Sequence, residues 1–139
     1  MRATNCFSLE RHEGSYEKWP SRSRLVINGK QSSIRIPGYT LLKQFAVPSG
    51  YLLVTDFDCP FEETTSFSLL DKNNRLLSYQ MKFVPYGSFN LEAFEWLDNQ
   101  SARVTFWEND QWLLKIRPWG IPFLRPRLHL RRMSKVATG

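Results

Sequence analysis

The stretch Leu77-Ser78-Tyr79-Gln80-Met81-Lys82-Phe83 alternates apolar and polar side chains without a break. Period two is the repeat of a pleated strand, whose successive side chains leave opposite faces, whereas a helix scatters such a series around its axis. The alternation predicts Leu77, Tyr79, Met81 and Phe83 on one face of a sheet and Ser78, Gln80 and Lys82 on a wet face. Residues 65–70 repeat the pattern, with Phe67 and Leu69 opposed to Ser66 and Ser68, and the intervening Asp71-Lys72-Asn73-Asn74 suits a tight turn. A hairpin is expected there.

Turn chemistry recurs along the chain. Asn28-Gly29 lies between two β-branched runs and provides the two positive-φ residues of a type I′ turn. Pro48-Ser49-Gly50 separates residues 41–47 from 51–57, and Glu108-Asn109-Asp110 separates 102–107 from 111–117. Residues 91–98 place Leu91, Phe94 and Leu97 at a helical spacing, but the run is short and the turn residues Asp98-Asn99-Gln100-Ser101 follow, so a strand is preferred. Residues 41–84 and 89–132 each divide into about four strand-like pieces, a faint duplication in a chain too short for a propeller. The expected fold is all-β with little helix: a single-domain antiparallel meander of about eight strands, closed into a barrel or folded into a two-layer sandwich. Residues 24–132 form this domain, 1–23 a partly irregular N-terminal extension and 133–139 a flexible tail.

With 139 residues, five Trp, five Tyr and ten Phe, the chain is long and aromatic enough to bury a core without staples. Glu10, Arg11, His12 and Glu13 stand where a secretory leader needs an apolar run, and no stretch approaches the roughly 18 apolar residues of a membrane helix. Cys6 and Cys59 lack C-x-x-C spacing and read as reduced thiols. A cytoplasmic protein is expected, with no cofactor and no membrane partner.

Charge is unevenly spread. Residues 1–45 carry a net +5, residues 46–114 a net −6 and residues 115–139 a net +7, the last with no acid at all. Asp56, Asp58, Glu62 and Glu63 crowd one Pro-containing loop. The loop lacks EF-hand spacing and any His or Cys set for zinc, so it reads as a recognition loop for a basic partner and not as a metal site. As a pair of hydrolytic carboxylates it would need an apolar pocket, which Phe57 and Phe61 could wall; a small-ligand barrel or hydrolase is therefore a third reading. No G-x-S-x-G elbow or phosphate loop is present, and the two histidines, His12 and His129, lie near opposite ends.

Near the C-terminus, Arg117, Trp119, Arg125, Arg127, Arg131 and Arg132 combine guanidinium groups with an aromatic ring, which suits phosphate contact and base stacking. In the same segment Arg127, His129 and Arg131 face one way and Leu128 and Leu130 the other, the pattern of a charge-protected edge strand. Trp96 and Trp107 are candidates for an exposed aromatic patch. Small size, few motifs and polarised charge are the character of a dedicated inhibitor of one partner, such as a bacterial toxin-immunity protein. The leading expectation is a non-enzymatic protein-binding module, with nucleic-acid binding by the C-terminal arm as the alternative.

Overall fold

The computed structural model describes residues 2–14, 19–20, 22–56, 64–83, 91–106, 109–117 and 127–135. These form twelve strands: β1 (Arg2–Ala3), β2 (Phe7–Leu9), β3 (Arg22–Ile27), β4 (Lys30–Pro37), β5 (Thr40–Val47), β6 (Gly50–Asp56), β7 (Thr64–Asp71), β8 (Leu76–Phe83), β9 (Leu91–Trp96), β10 (Ser101–Phe106), β11 (Asp110–Ile116) and β12 (Leu128–Lys135). They make three antiparallel sheets, ordered β1-β5-β6-β7-β8, β12-β11-β10-β9 and β2-β3-β4, with almost no helix among the described residues. The all-β expectation holds. A barrel does not: no sheet closes on itself, and the described strands number twelve where about eight were expected, two of the additional ones, β1 and β2, joining sheets from within the N-terminal segment.

Local chemistry sets the hairpins. Asn28 (φ 51°) and Gly29 (φ 81°) make the turn between β3 and β4. Between β7 and β8 the Asp71 carboxylate accepts hydrogen bonds from the backbone of Asn73 (2.8 Å) and Arg75 (2.9 Å), while Asn74 takes a φ of 64°. At the start of β6, Gly50 has φ 153°, and a Cβ there would stand 2.0 Å from the Leu70 carbonyl oxygen, so only glycine lets β6 approach β7 at that point.

The five-stranded sheet has apolar contacts on both faces. Val47, Leu52, Val54, Phe67 and Leu69 meet Ala102, Val104, Phe106, Leu114, Ile116, Leu128 and Leu130 of the four-stranded sheet in the larger core. Leu53 and Leu70, on the opposite face, meet Phe7, Leu25 and Ile36 of the three-stranded sheet in a smaller one. Double coverage explains why β6 reads as the nearly unbroken apolar run Tyr51-Leu52-Leu53-Val54. At one side Phe45 of β5 stacks on Phe94 of β9 with ring centroids 5.0 Å apart; at the other Gln80 of β8 donates to the Leu128 carbonyl of β12 at 3.1 Å.

Coverage also corrects two facial assignments. Ser66 and Ser68 are fully buried, not wet, because they share a face with Leu70 beneath the three-stranded sheet. In β8 a bulge opposite Leu69 and Leu70 makes Leu77 the extra residue, so Leu77 packs on the larger core while Tyr79 is directed to the other face. Tyr79 is 39% exposed there and its hydroxyl accepts a hydrogen bond from Arg22 at 2.8 Å. No described helix is long and apolar enough to cross a membrane.

Candidate functional site

Strand register decides which charges become neighbours. On β11, Trp112, Leu114 and Ile116 point to the larger core, so Leu113 and Lys115 leave by the outer face. Antiparallel pairing sets Leu113 opposite Arg131 and Lys115 opposite His129. A 2.7 Å hydrogen bond from the Arg117 amide to the Arg127 carbonyl extends the ladder one step and brings these two arginines to the same outer side. On β10, Arg103 pairs with Leu113 and Thr105 with Gln111. The outer face of the four-stranded sheet thus carries Arg103, Lys115 and Arg131 next to the partly exposed Leu113, with Arg117 and Arg127 further along the β11–β12 ladder.

Counter-charge on this face sits at its far side. Glu95 of β9 lies opposite Arg103 and forms a salt bridge with it. Lys115, Arg127 and Arg131 take part in no salt bridge among the described residues. Like charges facing one another across strands are destabilising by some tenths of a kcal/mol. Across the β11–β12 ladder Arg117 and Arg127 face one another in this way.

Arg132 behaves differently from Arg131. A bulge in the β11–β12 pairing sets it opposite Trp112, and its guanidinium lies 5.0 Å from that ring centroid. It also bonds the buried Asp110 carboxylate at 3.1 Å. Arg132 is therefore an anchor between sheet edge and core, while Arg127 and Arg131 are outward-facing. Of the other arm residues, Arg117 lies on the ladder; Trp119 and Arg125 lie outside the described residues.

Trp96 does not lie on the outer face. It pairs with Ala102, packs against the larger core and touches the rings of Phe45 (5.3 Å) and Phe94 (5.2 Å). Trp107, its expected companion, lies outside the described residues. So do Asp58, Glu62 and Glu63 of the acidic loop. Asp56 closes β6, half-buried, with its backbone carbonyl accepting the Tyr39 amide at 2.7 Å. Among the described residues no group of three or more His, Cys, Asp or Glu side chains is placed to hold a metal.

One pairing invisible in the sequence joins His12 to Ser23, with Nε2 and Oγ 2.8 Å apart. The Ser23 hydroxyl donates its single proton to the Gly38 carbonyl at 2.5 Å, so the bond to His12 requires the imidazole to be the donor. That polarity is the reverse of a base activating a nucleophile, and Ser23 is fully buried. With Trp19 and Tyr39 each about 5 Å from the His12 ring, the cluster packs the N-terminal segment onto β3. A cavity of about 310 Å³ at the β1–β5 edge has Lys43 as the single ionisable residue among the described residues of its lining.

Comparison with protein-family models, curated proteins and solved structures finds no match. The outer face of the four-stranded sheet is the arrangement on which a functional reading rests. Sequence parity along residues 111–117 already separates Leu113, Lys115 and Arg117 from Trp112, Leu114 and Ile116. Their assembly with Arg103 and Arg131 depends on cross-strand register, which no local signal specifies.

Proposed function

We propose that this protein is a non-enzymatic protein-binding module whose outer β9–β12 face docks on an acidic surface of its partner. One observation carries the reading: Lys115 and Arg131 flank an outward Leu113, Arg127 lies further along the same face, and none of the three cations takes part in a salt bridge among the described residues. An apolar centre inside a charged rim is the anatomy of a protein interface. Single-stranded nucleic acid favours aromatic platforms, whereas Trp96 and Trp112 of this sheet pack against its core. The class that fits is a dedicated inhibitor or immunity-type protein, for which steering by complementary charge speeds encounter with one target.

Photocrosslinking in the native cell tests this. A benzoylphenylalanine replacing Leu113 is expected to capture a protein that the same group at Ser33, exposed on the three-stranded sheet, does not capture. Equal capture from both positions, or crosslinks to nucleic acid from position 113, would overturn the proposal.

A further inference from the structure

We infer that the partner presents this face with an extended acidic segment, in which carboxylates occupy alternate positions of a β-strand laid over β11 and β12. The inference rests on the reading of this face as an interface and adds the shape of what it takes. Its ground is the spacing of the cations. Outward residues of one strand recur every second position, which is about 6.8 Å, and neighbouring strands lie about 4.8 Å apart. Lys115 and Arg117 stand one such step apart on β11 and its continuation. Arg127 and Arg131 stand two such steps apart on β12 with His129 between them, so the cations fall on the points of a regular lattice two strands wide.

An acidic strand with side chains on one face repeats at the same interval of about 6.8 Å and stays in step over every row. An acidic helical stripe repeats with a pitch of about 5.4 Å and falls behind by about 1.4 Å per row, nearly 3 Å across two steps. Long Lys and Arg stems absorb part of that misfit only by leaving their extended rotamers. Leu113, between Arg103 and Arg131, provides a dry centre over which carboxylate–guanidinium pairs gain from reduced solvent screening.

The test uses the full chain and three fluorescent probes at about 0.15 M salt, where charges farther apart than roughly 8 Å are screened. The first is a peptide in which threonine and glutamate alternate, the second a block peptide of the same composition with all its threonines before all its glutamates. The third is a single-stranded oligonucleotide of equal charge. The alternating peptide is expected to bind at least about tenfold more tightly than the block peptide, and the K115E/R131E variant to lose that binding by at least about tenfold, converting to about 1.4 kcal/mol. Unchanged circular dichroism and melting temperature in the variant exclude misfolding, since both side chains are exposed. Equal affinity for the two peptides, with loss of both in the variant, would overturn the extended segment and leave the interface standing. Binding of all probes untouched by the variant would overturn the interface itself. An oligonucleotide that binds more tightly than either peptide would make the face a nucleic-acid surface and refute the inference.

Discussion

Arg131 and Arg132 follow one another on β12, yet only Arg132 reaches an acid, the Asp110 carboxylate, whose side chain is 8% exposed. Truncating Arg132 strands a buried charge, at a cost tempered by the 53% exposure of the arginine itself. Urea denaturation is expected to show R132A less stable by about 1–2 kcal/mol and R131A within about 0.5 kcal/mol of the native protein; equal losses would refute the distinction. At Gly50 the backbone dictates the residue. Its φ of 153° and the Leu70 oxygen 2.0 Å from a built Cβ predict that G50A costs at least about 3 kcal/mol by the same measurement.

At the level of elements, the two sheet interfaces are unequal. The larger core holds twelve buried apolar residues and the smaller five among the described residues, and each fully buried large side chain contributes about 1.5–3 kcal/mol. The smaller interface also buries the Ser66 and Ser68 hydroxyls, for which no described group supplies a hydrogen bond. Desolvating them offsets part of what Leu25 and Ile36 contribute. Hydrogen exchange is expected to release the amides of β2, β3 and β4 before those of β6, β10 and β11. Simultaneous release of all three sheets would show that they unfold as one unit.

Across the whole molecule, +6 of formal charge is gathered unevenly by the fold, and clustered charge produces a stronger local field than the same charge dispersed. K115E/R131E and K30E/R75E change the net charge equally, but Lys30 and Arg75 sit in two separate hairpins, outside the lattice of the four-stranded sheet. On a cation-exchange column K115E/R131E is expected to elute at distinctly lower salt than K30E/R75E; coincident elution would show that no focused cationic face exists. The sequence determined by itself what depends on near neighbours. Alternation over 77–83 marked a strand, Asn28-Gly29 and Asp71–Asn74 marked turns, and the parity of 127–131 set Arg127, His129 and Arg131 against Leu128 and Leu130, because strand faces and turn dihedrals are properties of adjacent residues. Tertiary structure alone decided what depends on coverage and register. Ser66 and Ser68 alternate like solvent-facing residues, but a second sheet lies over them; Trp96 reads as a surface ring but shares a face with Ala102; His12 and Ser23 meet only when the N-terminal segment folds onto β3. Lys115 and Arg131 are sixteen positions apart in the chain and one strand apart in space, because a one-residue change of register would turn Arg131 to the core, and burial of Leu128 and Leu130 forbids it.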